Sequence, residues 1–210
     1  MTTETTSDLR VVSTEKLPTP DELASQIPLT ETARKTIVRG RSQVQDILSG
    51  KDSRLLVVAG PCSVHDEKAA LDYADRLVKL AEEVKDQICV VMRVYFEKPR
   101  TILGWKGLIY DPNLNGKIAI KEGLERARKI LLAVNEKGLP AGAEFLDPIV
   151  PAYLADLVTW SSIGARTTES QTHRQMASGL SMPVGFKNAT SGSIDIAVNG
   201  IRAARAAQAF

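Results

Sequence analysis

Five short apolar runs, each passing into a polar or cationic residue and then into an amphipathic stretch, constrain this chain more than any other feature. The first is Leu55-Leu56-Val57-Val58-Ala59, ending in Gly60-Pro61-Cys62-Ser63-Val64-His65-Asp66. The second, residues 88–94, is rich in branched side chains and turns basic at Arg93. The third lies near 141–145 and ends in Glu144, Leu146 and Asp147. The fourth, about 162–165, leads into Arg166, and the fifth, Val184-Gly185-Phe186, leads into Lys187. Mostly apolar runs of this length read as strands covered on both faces, the habit of parallel sheets. Between them the spacing predicts helices from Asp66 to about Val84, over 121–137 before Gly138 and Pro140, over 151–160, up to Gly179, and over 193–207. Such alternation means parallel strands with crossover helices, in a (β/α)8 barrel or a doubly wound sheet. No G-x-G-x-x-G follows a strand and no Walker sequence occurs, which argues against a dinucleotide fold. In a barrel, Cys62, Arg93, Glu144, Arg166 and Lys187 would all face one rim, where chemistry sits.

Residues 1–50 precede the first strand and read as a helical N-terminal extension for oligomerisation or regulation. Leu9-Arg10-Val11-Val12 has the composition of a short strand. Thr19-Pro20-Asp21-Glu22 begins a helix, with Thr as cap, Pro in the first turn and acids near the positive end of the dipole. Thr30-Glu31-Thr32 opens a second helix that Gly50 ends. Residues 51–210 hold the βα units. A net charge of +2 supplies no global field for nucleic acid or membrane. No run approaches the roughly 18 apolar residues of a membrane span. The polar start MTTETTSDLR has no signal-peptide core, and two cysteines make no disulfide framework, so a cytoplasmic location is expected.

Local charge says more than total charge. Residues 93–107, RVYFEKPRTILGWKG, carry Arg93, Lys98, Arg100 and Lys106 with Glu97 as the lone acid, and Pro99 stiffens the backbone between two cations. Arginine forks onto carboxylate or phosphate and lysine adds a point charge, so this loop suits an anion. A solvated basic loop is the plain alternative. Cys89 lies mid-strand and reads as core, His173 as a structural residue on a helix, and Trp105 as packing beneath the loop. His65 either caps the next helix or lies near the site.

Four motifs in order, GPCSVHD, MRVYFEKPRTILGWKGLIYDP, GARTTESQTHRQMASGLS and GFKNATSG, resemble type I 3-deoxy-D-arabino-heptulosonate 7-phosphate (DAHP) synthase, also called phospho-2-dehydro-3-deoxyheptonate aldolase. The resemblance covers nearly the whole chain. It implies a transferase that condenses phosphoenolpyruvate with erythrose 4-phosphate and releases phosphate, opening the shikimate route to chorismate and the aromatic amino acids. It implies a (β/α)8 TIM barrel with a helical N-terminal extension, a homo-oligomer, a divalent metal ion of the Mn, Fe, Co or Zn type, and feedback inhibition by an aromatic amino acid. By the same resemblance Lys98 and Glu144 are catalytic. Arg93, Lys98, Gly164, Ala165, Arg166 and Lys187 would hold phosphoenolpyruvate, and Lys98, Pro99, Arg100 and Thr101 erythrose 4-phosphate. Cys62 would be a metal ligand. Phe145, Pro148, Pro151, Ser181 and Phe210 match the general location of the effector, with Pro148 leaning toward tyrosine over phenylalanine. GFKNATSG carries Ala189 and Ser191 where the family pattern has Gly and Asp.

The resemblance also implies a chain truncated after about five βα units, since family members run much longer. The remaining metal ligands would lie past its end. The 210 residues alone would then be inactive or nearly so, with an open sheet edge exposed. Two other readings remain open: a Schiff-base aldolase using Lys187, and a non-catalytic remnant that binds a partner subunit or an effector amino acid.

Overall fold

A single sheet of five parallel strands organises the molecule; the computed structural model describes residues 6–207. The strands are β1 (Leu55–Ala59), β2 (Ile88–Arg93), β3 (Ala141–Glu144), β4 (Trp160–Ile163) and β5 (Val184–Phe186). They lie side by side in chain order. Leu55 pairs with Ile88, Met92 with Ala141, Gly142 with Trp160, and Ser161 with Val184. Since every pairing is parallel, all five strands end on the same rim. Sequential parallel strands joined by helices are the repeating unit of a (β/α) barrel.

The helices are α1 (Pro20–Gln26), α2 (Glu31–Leu48), α3 (Glu67–Glu83), α4 (Ile120–Glu136), α5 (Val150–Leu154), α6 (Gln171–Gly179) and α7 (Ile194–Ala204). Their starts follow from capping chemistry. Thr19 and Glu22 satisfy each other's backbone N–H groups in a capping box. Thr30, Asp66 and Ser170 each accept a backbone N–H at the start of α2, α3 and α6. Gly138, at φ +80°, reverses the chain after α4 in a conformation that costs other residues energy. The core lies between the sheet and α2, α3 and α4, built from Ile37, Met92, Leu124, Ile130, Leu131, Val134 and Leu157. Gly123 lets α4 press against the chain before it: a Cβ there would stand 2.0 Å from the Ile109 carbonyl oxygen.

The front segment is clamped to this core by one buried cation. Arg128 on α4 donates to the Ile27 and Tyr153 carbonyls and to both oxygens of Asp156. Tyr153 in turn donates to the Pro18 carbonyl at 2.8 Å. Arg41 on α2 reaches the carbonyls of Ala155 and Val158.

Two expectations change. Residues 9–12 form no strand. The chain turns there, with Val11 N–H donating to the Asp8 carbonyl at 3.1 Å, and Val12 is 101% exposed. The helix expected over 151–160 is cut short: α5 gives way to a 3-10 turn, Ala155–Leu157, and Trp160 already opens β4. Carbonyls that a longer helix would use are taken instead by Arg128, Arg41 and the Asn135 amide, which donates to Leu157. No helix among the described residues is long and apolar enough to cross a membrane.

Candidate active site

The site is built where the five strands end. After β1 the chain crosses directly over Arg93, and Gly60 makes this crossing possible: a Cβ there would lie 2.4 Å from the Arg93 carbonyl oxygen. The crossing delivers Cys62 beside the last residue of β2, and Arg93 Nη2 donates to the Cys62 carbonyl at 3.3 Å. Side chains two apart on a strand share a face. Accordingly Tyr95 lies under Arg93, whose guanidinium carbon stands 4.1 Å from the ring centroid.

The loop that follows closes on itself through a bridge between Glu97 and Gly107 and the Lys98 N–H bond to Lys106. This closure aims Lys98 back into the site, where Nζ donates to Cys62 Sγ at 2.9 Å. That bond and the Lys98 charge hold the Cys62 thiol below its ordinary value, with Arg93 and Lys187 adding to the effect. Across the site, Lys187 Nζ lies 3.3 Å from Glu144 Oε1. Glu144 is 6% exposed and Lys187 42%. Gly164 makes room for this pair, because a Cβ at Gly164 would sit 2.2 Å from Glu144 Oε1. The structure thus brings Cys62, Arg93, Lys98, Glu144, Gly164 and Lys187 into one contact network.

Lys98 also borders a cleft of about 580 Å³ that Pro99, Arg100 and Arg166 line. Arg166 makes no hydrogen bond or ion pair among the described residues and is free to meet a ligand. Arg100 folds back onto its own loop, donating to the Trp105 carbonyl at 2.7 Å. Ala165 sits half-buried in the turn after β4, and Thr101 is exposed on the loop. The effector candidates do not converge. Pro148 and Pro151 line an apolar cavity of about 450 Å³, Ser181 lines a separate one, and Phe145 is 1% exposed in the core. Phe210 lies outside the described residues.

Several neighbours of the site carried no sequence signal as functional residues. Glu97 is buried and accepts the N–H groups of Leu146 and Asp147 at 3.1 and 3.0 Å. Burial pushes its carboxyl up to about 7, against the pull of those two N–H bonds, and Asp147 and Glu144 push the same way as burial. Asp147 also accepts from the Tyr110 hydroxyl at 2.5 Å. His173 Nε2 meets the Leu146 carbonyl at 2.7 Å, a partner that can only accept, so Nε2 carries the proton. His173 therefore borders the cleft and also anchors it.

The Glu97 carboxyl has a pH consequence. Its folded-state value, raised from 4.5 to about 7, means the folded chain holds more protons than the unfolded chain between those limits. This contribution to stability is complete below pH 4.5 and disappears as pH rises through 7. Urea midpoints should fall between pH 5 and pH 8 by the equivalent of roughly 3 kcal/mol. Glu97→Gln should flatten that fall, and a variant with the wild-type slope would assign it to other groups.

Among the described residues no three His, Cys, Asp or Glu side chains gather as a metal would require. Cys62 Sγ is a single donor already paired with Lys98. These residues do not by themselves fit a divalent ion, which needs several donors.

A parallel βα sheet whose strand ends present arginine, lysine, cysteine and glutamate on one rim has the layout of a (β/α)-barrel protein, in which the strand-end face carries the chemistry. The chain belongs to the DAHP synthetase I family, whose model matches residues 26–210. It is 56% identical over 203 residues to the Phe-sensitive phospho-2-dehydro-3-deoxyheptonate aldolase of Escherichia coli K12, spanning 97% of this chain and 58% of that protein. It is 54% identical over 205 residues to the Trp-sensitive enzyme of the same organism, covering 98% of this chain and 59% of that one. The Corynebacterium glutamicum enzyme of that name is 55% identical over 200 residues, with 95% and 55% covered. The solved phospho-2-dehydro-3-deoxyheptonate aldolase of Francisella tularensis SCHU S4 superposes with a TM-score of 0.90 at 46% identity, covering 92% of this chain and 57% of that one. The chain therefore spans a little over half the length of these relatives.

Proposed function

We propose that this chain carries the phosphoenolpyruvate-holding part of a site that condenses phosphoenolpyruvate with erythrose 4-phosphate. In that reaction C3 of phosphoenolpyruvate bonds to the aldehyde carbon, water adds at C2, and the C2–O bond to phosphate breaks. One molecule of each substrate and one water give one DAHP and one phosphate. The observation that carries the reading is the gathering of Arg93, Lys98 and Lys187 from β2, its loop and β5 around Cys62 and Tyr95. Phosphoenolpyruvate bears a carboxylate and a phosphate, and fixed cations in a partly dry site are what such a ligand requires. Arg93 and Lys98 hold the carboxylate in this reading. Arg166 and Lys187 hold the phosphate, with the Gly164–Ala165 backbone approaching closely. Glu144 orients the attacking water. The cleft bordered by Lys98, Pro99 and Arg100, with Thr101 beside them, takes erythrose 4-phosphate. The apolar cavity at Pro148 and Pro151 takes an aromatic amino acid, in keeping with the Phe- and Trp-sensitive names of the relatives. A homo-oligomer in the cytoplasm belongs to the same proposal. Binding of tryptophan alone, among the three aromatic amino acids, would refute the lean toward tyrosine.

A Schiff-base aldolase fits the geometry less well. Such a lysine needs a dry, apolar pocket, whereas Lys187 is 42% exposed beside a carboxylate. Trapping of a carbonyl substrate on Lys187 by borohydride would restore that reading.

Cys62 reports on the site directly, since it is the exposed thiol and Cys89 is buried. Saturating phosphoenolpyruvate should slow carboxymethylation of Cys62, and pyruvate, which lacks the phosphate, should not. Equal rates with and without phosphoenolpyruvate would overturn the assignment. Gly164→Ala should place a methyl group where the Gly164–Ala165 backbone approaches phosphoenolpyruvate, weakening its binding about tenfold with little change in melting temperature, since only the far end of the Glu144 side chain has to shift. Unchanged binding would remove Gly164 from the site.

A further inference from the structure

We propose that Tyr95 is a positioning residue whose ring is the shared platform for Arg93 and Lys187, so that both cations stand ready for one anion. The inference rests on reading this rim as a phosphoenolpyruvate site.

Neither cation is firmly held by anything else. Arg93 Nη2 makes one long bond, 3.3 Å to the Cys62 carbonyl, and its Nε is buried without a hydrogen-bond partner. Lys187 Nζ has one contact of the same length, to Glu144. Both lie over the Tyr95 ring, with Arg93 Cζ 4.1 Å and Lys187 Nζ 5.4 Å from its centroid. The ring is therefore the contact the two charges have in common.

The ring itself is fixed from three sides. It is 3% exposed, and its hydroxyl meets Ser162 Oγ of β4 at 2.7 Å. The Tyr95 carbonyl accepts the Val64 N–H at 2.8 Å, tying it to the loop after β1. Its backbone continues β2. Three strand ends thus locate one ring, which then sets cations from β2 and β5.

An aromatic face suits this task better than a second carboxylate would. Its quadrupole attracts both cations, eases their mutual repulsion and leaves their full charge for the ligand. A carboxylate would neutralise them and compete with the incoming anion. Burial raises the Tyr95 hydroxyl above its ordinary value, so the residue stays a neutral phenol.

The test weakens the quadrupole at nearly constant shape. Tyr95→Phe keeps the face and loses the bond to Ser162, and trifluorophenylalanine at position 95 then weakens the face at nearly constant size. Phosphoenolpyruvate affinity is read by calorimetry and folding by thermal melting, each on the 210-residue chain. Tyr95→Phe should bind within about threefold of wild type, and the trifluorinated variant about tenfold more weakly than Tyr95→Phe, with equal melting temperatures. Equal affinities for the fluorinated and unfluorinated rings would overturn the inference and leave the site reading standing. Loss of binding already in Tyr95→Phe would also overturn it, because the hydroxyl and not the face would then matter. A wild-type chain that does not bind phosphoenolpyruvate would overturn both.

Discussion

Asp156→Ala should destabilise the chain by about 3 kcal/mol, at the lower end of the range for breaking a buried ion pair. Asp156 itself is 43% exposed, but its partner Arg128 is 2% exposed and receives both of its oxygens, at 2.7 and 2.8 Å. Removing the carboxylate leaves a guanidinium in the core with only the Ile27 and Tyr153 carbonyls for company. Arg41 suffers as well. Burial holds its ionisation below the ordinary arginine value, and Asp156 is the charge that opposes this. The damage should spread to the front segment, because Ile27 follows α1 and Tyr153 reaches Pro18. Urea unfolding should show a lower midpoint at an unchanged slope. A loss under 1 kcal/mol would mean that water entering through the exposed side of Asp156 solvates Arg128 adequately. Replacing the pair with Arg128→Met and Asp156→Leu together should recover part of the loss, because no buried guanidinium then stands unpaired at position 128, while Arg41 still lacks its opposing charge.

Lys98→Met should have the larger effect on function, and it acts in two separable ways. Lys98 Nζ donates to Cys62 Sγ, and that bond is the first cause of the lowered thiol value. Without it the thiolate fraction near neutral pH falls, so Cys62 should alkylate several-fold more slowly. Phosphoenolpyruvate affinity should fall by roughly 10- to 150-fold, the equivalent of one charged hydrogen bond worth about 1.5–3 kcal/mol. Lys98→Arg should restore charge but not the fit to Sγ, since the guanidinium is planar and wider. Faster alkylation in Lys98→Met would mean that the lysine shields the thiol instead of ionising it.

Much of this architecture can be read from residue order. Apolar runs ending in Cys62, Arg93, Glu144, Arg166 and Lys187 predict parallel strands with one functional rim, and all five strands end together. Caps at Thr19, Thr30 and Asp66 are local chemistry and so are visible in a short window. What escapes the sequence depends on distant partners. Residues 9–12 have strand composition but no strand beside them, and the helix after Val150 ends early because Arg41, Arg128 and Asn135 claim its carbonyls. Glu97 reads as the lone acid of a basic loop until the fold buries it against Leu146 and Asp147. Tyr95 could have been found, because it lies two residues beyond Arg93 on one face of an extended segment.

The proposed site depends on cations from separate strand ends meeting around one small, multiply charged anion. Calorimetric titration of the 210-residue chain with phosphoenolpyruvate, beside the double variant Arg93→Met and Lys187→Met, tests it most directly. Saturable binding at one site, weaker at high salt, is expected, with its loss in the double variant at a preserved melting temperature. Equal heats for the two proteins, or none for either, would contradict it.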